Sequence, residues 1–230
     1  MLSLFKNTPI EWLNYSGQLH IEDEDVHVIK IHRKIYYHVK NHLTNTLNKQ
    51  ELEKKNRFLR DEDAERFALG KYFTRQILSQ ILKVPAGNIN FLLTATNKPY
   101  LKEINFNISH SGDYIVIAVS RREIGVDVEL IKNDFDHDDL AKACFNPNER
   151  RAILKIEDFY IFWTRKEAIL KATGEGIIDD LPQIDCVKSI VTRKGKCYNL
   201  KSYLMDERHV LSLAHEKSSK IPYFWKIESF

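Results

Sequence analysis

The sequence predicts an α+β protein made of two similar halves. Apolar residues recur with a period of two in some stretches and at helical spacing in others, and the order of these stretches runs strand, helices, strands twice over. With 43% of 230 residues hydrophobic, the chain can bury one sizeable core or two small ones that share an interface.

The elements follow in order. VHVIKIH (26–32) alternates as a strand does, and the polar stretch from Lys34 to Asn56 reads as largely helical. Across EDAERFALGKYFTRQILSQIL (62–82), Phe67, Ala68, Phe73, Ile77, Leu78, Ile81 and Leu82 recur at helical spacing, and Pro85 and Gly87 end the pattern. INFLL, INFNI, YIVIAVS and IGVDVEL are short, rich in β-branched residues and bounded by turns, so they read as strands. Residues 136–172 return to helix, with NPNE (146–149) as a cap between two segments. QIDCVKSIV, KCYNLKSYL and HVLSLAHE are strand-like. The division falls near Arg121 and Arg122, giving residues 1–122 and 123–230 as the halves.

Net charge is only +3, with an uneven distribution: residues 1–122 hold 18 Lys and Arg against 13 Asp and Glu, and residues 123–230 hold 17 against 19. This asymmetry suits a small phosphorylated ligand on the first half better than a long nucleic acid, which calls for a stronger basic stripe. Cys144, Cys186 and Cys197 are far apart and form no C-x-x-C pair, so reduced, space-filling thiols are expected rather than disulfides or zinc. The opening MLSLFKNTPIEWLNYSG lacks the basic and apolar regions of a secretory leader, and no run approaches the roughly 20 apolar residues of a membrane span. A cytoplasmic protein without membrane or nucleic-acid partners is expected.

In IGVDVEL, Ile124, Val126 and Val128 face one way, and Gly125, Asp127 and Glu129 face the other. The two carboxylates stand side by side at a Cα spacing of roughly 6.5 to 7 Å. A solvated strand face is one reading. A ligand site is the other, with Gly125 leaving room for close approach to the backbone. In FWTRKEAILKATGEG (162–176), Phe162, Trp163, Ile169 and Leu170 cover one helix side, and Lys166 falls in its middle. Trp163, Glu167 and Lys171 form a row along its edge, and Gly174 should end the helix. A Glu167–Lys171 pair alone contributes only about 0.2 to 0.5 kcal/mol. It leaves Lys166 unexplained, since a lysine there either snorkels to water or meets an anion. Three carboxylates, two lysines and no Cys or His at ligand spacing favour a hard cation such as Mg²⁺ with a diphosphate. NISHSG (107–112) and the basic run KKNRFLRDEDAER offer further phosphate contacts, with a plain turn and a solvated face as their ordinary alternatives.

With these pieces in order, the chain resembles the 4'-phosphopantetheinyl transferases of the long, surfactin-synthetase-activating (Sfp-like) type. The resemblance rests on RDEDAERFALG (60–70), NKPY (97–100), FNISHSGDY (106–114), IGVDVE (124–129), CFNPNE (144–149) and FWTRKEAILKATGEG. It implies two α+β subdomains related by a pseudo-twofold axis, with coenzyme A in the cleft between them. The implied reaction is Mg²⁺-dependent transfer (Mn²⁺ being the alternative ion) of the phosphopantetheine arm to a serine of an apo acyl, peptidyl or polyketide carrier protein, releasing adenosine 3',5'-bisphosphate. By motif, Asp127, Glu129 and Glu167 would hold the metal. Glu167 or a metal-bound water would take the serine proton, and Lys171 would stabilise the diphosphate. Lys166, Ser109 and His110 would meet phosphates, Lys98 and Pro99 would line the adenine pocket, and Lys54 and Arg60 would clamp the 3'-phosphate, where Glu51 stands in place of a frequent lysine. A catalytically silent carrier-protein or coenzyme A binding module and a metal-dependent nuclease are the competing readings. The presence of all three carboxylates and Lys171 opposes the first, and the lack of Glu-x-Lys after Glu129 opposes the second. Having both site halves in one chain implies a monomer, unlike the short trimeric synthases of similar chemistry.

Overall fold

In the computed structural model, which describes residues 10–94, 98–176 and 180–228, the chain begins with β1 (Leu13–Asn14) and β2 (Val26–His32). The short helices α1 (Tyr36–Val39), α2 (Leu43–Thr46) and α3 (Lys49–Lys55) lead to the long α4 (Asp61–Leu82). Then come β3 (Leu92–Leu93), β4 (Pro99–Tyr100), β5 (Asn105–Ser111), β6 (Tyr114–Ser120) and β7 (Ile124–Leu130). The remainder is α5 (Asp138–Cys144), α6 (Pro147–Ala152), α7 (Ile156–Thr173), β8 (Ile190–Arg193), β9 (Lys196–Asp206), β10 (His209–Glu216) and β11 (Tyr223–Ile227). The α+β class is as expected.

Two sheets carry the architecture, one ordered β1-β11-β2-β6-β5 and one ordered β7-β10-β9-β8. On the first, α4 packs Leu69, Phe73 and Ile77 against Ile29, Ile31, Ile115 and Ile117. On the second, α7 packs Phe162, Ile169 and Leu170 into a core with Tyr198, Leu200 and Val210. The opposite faces meet in a third core, where Val26, Val28 and Val116 join Val126, Val128 and Leu211. The alternation read in IGVDVEL is the cause: its valines enter the shared core, so its acids must lie on the other face.

Three readings change. The stretch from Lys34 to Asn56 is helical in short pieces, with Ile35, Val39, Leu43 and Leu47 turned inward and Asn48 opening α3 by a reciprocal capping box with Glu51. QIDCVKSIV is strand only from Ile190. Before that, the carbonyls of Leu181, Ile184 and Cys186 accept hydrogen bonds from the buried Lys166 and Arg165 side chains, which replace ladder partners. The third change is a strand not anticipated, β11, which pairs in parallel with β2 and so joins the sheet of the first half. The cysteines are free thiols; Cys144 and Cys186 fill the core, but Cys197 is exposed. No helix among the described residues is long and apolar enough to cross a membrane.

Gly125 also has a different use from the one expected. A Cβ there would lie 2.1 Å from the Ala168 carbonyl oxygen and 2.4 Å from the Ala172 nitrogen. The space admits the backbone of α7, not a ligand. This close approach brings the Glu167–Lys171 edge of α7 beside the acids of β7.

The seating of β11 on β2 has a pH dependence. Trp225 Nε1 donates to His27 Nδ1 at 3.0 Å, and the His27 ring stacks on Tyr223 at 5.0 Å. Burial, only partly offset by Asp25, pushes the imidazole down to about 4 from an ordinary 6.5. Between these values the unfolded chain binds a proton that the folded chain refuses, so stability falls as pH drops through this window, by up to about 3 kcal/mol. Urea midpoints at pH 7 and pH 4.5 are expected to differ less in His27→Gln than in the wild type; equal differences would mean that His27 is not the responsible group.

Candidate active site

The site is built where α7 crosses β7. Lys171 Nζ lies 2.6 Å from Asp127 Oδ1 and donates to Ser109 Oγ at 3.1 Å. Ser109 in turn donates to Asp127 Oδ1 at 2.8 Å, and Ser111 donates to Glu129 Oε2 at 2.7 Å. Asp127, Glu129, Glu167, Lys171, Ser109 and His110 all line one cavity, with Trp163 on its wall. Trp163 also stacks on Phe159.

Electrostatics mark the same cavity. Burial and the neighbouring Asp127 raise the Glu129 carboxyl above its ordinary range, and the same two causes raise Glu167. Three acids have been brought together with one lysine facing them. Burial, with Arg66 and Lys171 nearby, lowers the His110 imidazole, although the residue as a whole is exposed.

Lys166 is not a phosphate contact. It is 1% exposed, and its Nζ lies 2.9 Å from Glu149 Oε2 and donates to the Leu181 and Ile184 carbonyls at 2.8 and 2.7 Å. The anion it meets is a buried carboxylate of the chain itself. That carboxylate also closes the NPNE cap by accepting from Asn146 N at 2.8 Å, and it receives Cys186 N at 2.7 Å. Ser109 likewise has its proton on Asp127 and its lone pairs on Val128 N and Lys171 Nζ, so its hydroxyl is committed within the protein.

A second cavity adjoins the first, sharing Ile108 and His110 with it. Lys98 and Pro99 line it. Lys98 Nζ also donates to the Lys171 main-chain carbonyl, which ties β4 to α7. Asn97 of the NKPY motif lies outside the described residues. Lys54 and Arg60 line neither cavity: Lys54 is exposed with its Nζ 5.2 Å from the Phe67 ring centre, and Arg60 is an exposed residue at the start of α4. The cations on this wall are instead Arg66 and Lys71, beside Phe67. Arg66 belongs to the basic run already read as a phosphate contact; for Lys71 the available signal was its i, i+4 spacing from Phe67 on α4. Glu51 is accounted for: it is buried, 2.9 Å from Arg75 Nε and 3.9 Å from Lys71 Nζ.

No three acidic, histidine or cysteine groups among the described residues stand close enough together to enclose a metal ion. The donor set nevertheless fits a hard cation. It consists of oxygen ligands, and Asp127 Oδ2 is buried without a hydrogen-bond partner. Burial first, and the Asp127 charge second, raise the Glu129 and Glu167 carboxyls, and a cation there would favour their charged forms.

Paired acids on a strand, a third acid and a lysine on the crossing helix, and a basic cavity alongside have the make-up of an enzyme site. The family model described as 4'-phosphopantetheinyl transferase, N-terminal, matches residues 37–122, and that of the 4'-phosphopantetheinyl transferase superfamily matches residues 123–215. The 4'-phosphopantetheinyl transferase HetI of Nostoc sp. (strain PCC 7120) is 30% identical over 93% of this chain and 97% of its own length. The transferase gsp of Aneurinibacillus migulanus is 33% identical over 65% of each chain, and Sfp of Bacillus subtilis (strain 168) is 30% identical over 57% of this chain and 62% of its own. The chain belongs to the 4'-phosphopantetheinyl transferases and is an enzyme of that family.

Proposed function

We propose that the chain transfers the 4'-phosphopantetheine arm of coenzyme A to a serine of an apo carrier protein, in a Mg²⁺-dependent reaction that releases adenosine 3',5'-bisphosphate. The observation that carries this reading is the continuity of the two cavities. One is basic and partly apolar, suited to a nucleotide; the other holds Asp127, Glu129, Glu167 and Lys171; and His110 lies on both.

Glu167 accepts the serine proton. Its raised pKa makes it a better base than an ordinary carboxylate, and it has no hydrogen-bond partner among the described residues to compete for that proton. The serine oxygen then attacks the phosphorus that carries the pantetheine arm, and the bond from that phosphorus to the oxygen bridging the diphosphate breaks. Lys171, held in place by Asp127 and Ser109, faces the negative charge that grows on the departing phosphate. Lys71, Arg66 and Lys98 offer cations to the nucleotide end, and Phe67 and Pro99 offer it apolar surface. A Mg²⁺ or Mn²⁺ ion held by Asp127, Glu129 and Glu167 would supply charge neutralisation at the diphosphate.

The two halves, 1–122 and 123–230, are read as pseudo-twofold partners, each a helix on a sheet, with β11 returned to the first. Both cavities are walled by one chain, which supports a monomer as the working form, and a cytoplasmic location is read with it. A solution mass equal to one chain is expected, and an obligate trimer would overturn that part. For the reaction, adenosine 3',5'-bisphosphate is expected by chromatography only when coenzyme A and a carrier with its serine are both present. Equal release with a serine-to-alanine carrier would replace transfer by hydrolysis.

A further inference from the structure

The two sheets meet at β5 and β7 without a backbone ladder. Each strand is the outer member of its own sheet. Asn107, Ser109 and Ser111 share one face of β5 by their period of two, and they take up the free amides of β7. Val126 N donates to Asn107 Oδ1 at 3.0 Å, Val128 N to Ser109 Oγ at 3.3 Å and Leu130 N to Ser111 Oγ at 3.0 Å. Edge amides that would otherwise go unpaired are thus met by side chains.

Two of the three rungs do more. A serine hydroxyl has one proton, and once its oxygen accepts a main-chain amide on one side, that proton has a restricted direction. In Ser109 it points to Asp127, and in Ser111 to Glu129. Each carboxylate is held by the hydroxyl that also fixes the amide of the following residue. The Asn107 rung stitches the seam but touches no carboxylate.

We infer that Ser111 is a positioning residue: the ladder fixes the Glu129 carboxylate for cation binding through Ser111, as it fixes Asp127 through Ser109. This rests on reading Asp127, Glu129 and Glu167 as the cation ligands. Hydrogen-bond partners of ligating carboxylates hold ligand orientation, and losing one weakens metal affinity by about 10- to 100-fold.

The test is direct Mn²⁺ binding to the full chain in the presence of coenzyme A, followed by electron paramagnetic resonance, with coenzyme A alone as the blank. Ser111→Ala is expected to bind Mn²⁺ about tenfold more weakly, and Ser111→Thr, which keeps a hydroxyl, to bind nearly as the wild type does. Asn107→Ala is expected to lower the melting temperature without weakening Mn²⁺ binding. Should Ser111→Ala not fold, Ser111→Thr against Ser111→Cys, a poor donor, makes the same comparison. Unchanged affinity in Ser111→Ala, or equal weakening in Asn107→Ala, would overturn the inference while leaving the cation site standing. A wild-type protein that takes up no Mn²⁺ beyond the blank would instead overturn the cation site, and the inference with it.

Discussion

Glu167→Gln is expected to lower phosphopantetheine transfer by about a hundred- to ten-thousandfold, the range associated with loss of a positioned acid–base group. The same variant is expected to melt no lower than the wild type, measured without added metal. Burial and Asp127 raise the Glu167 carboxyl, so the folded protein holds this charge less readily than the unfolded chain does. A carboxyl whose pKa rises on folding reduces stability once pH exceeds its unfolded value, and the penalty is complete above its folded value. Glutamine keeps the shape and removes the penalty. Lys83→Gln is the matched control: this exposed residue caps the C-terminal end of α4 and lines neither cavity, so transfer should persist. Equal losses in the two variants, or a large drop in melting temperature for Glu167→Gln, would mean that the base is elsewhere.

Lys166→Ala is expected to destabilise the fold by about 3 to 5 kcal/mol, because it strands a buried carboxylate. Glu149 is 0% exposed, and Lys166 is the cation against it. In a chain of this size the loss should appear as a fall in melting temperature of about 10 °C. Pairing Lys166→Met with Glu149→Leu should destabilise by less than the sum of the single changes, since neither charge is then left alone. A phosphate contact would behave in the opposite way, with a raised KM for coenzyme A and an unchanged melting temperature. Thermal denaturation and a coenzyme A titration on Lys166→Ala separate the two.

What was legible in the sequence was local. The end of α7 at Gly174 with φ +71° and the cap at NPNE rest on cap chemistry that a short window contains, although the one segment expected after the cap is two helices, α6 and α7. The gathering of Asp127, Glu129, Glu167 and Lys171 follows from two such windows, a strand with period two and a helix with an edge. What was not legible depends on which distant segment fills a space. The apolar face of α7 left Lys166 either to reach water or to meet an anion, and NPNE was read only as a cap. Its two oxygens in fact serve the cap, Cys186 N and Lys166 together. Gly125 showed that something approaches β7, without showing that it is the α7 backbone. The β11 strand was hidden because its pairing partner lies almost a full chain length away, in β2. Arg66 was within the basic run read as a source of phosphate contacts, whereas Lys71 lies beyond that run, and only the packing of α4 brings it to the same cavity wall.

The central claim is that this site moves phosphopantetheine from coenzyme A to a carrier serine. Its most direct test is the intact mass of a set of apo carrier proteins after incubation with the chain, coenzyme A and Mg²⁺. At least one carrier is expected to gain the mass of one phosphopantetheine, with the modification on its serine and absent without coenzyme A. No mass gain on any acyl, peptidyl or polyketide carrier, with folded protein and intact coenzyme A, would contradict it.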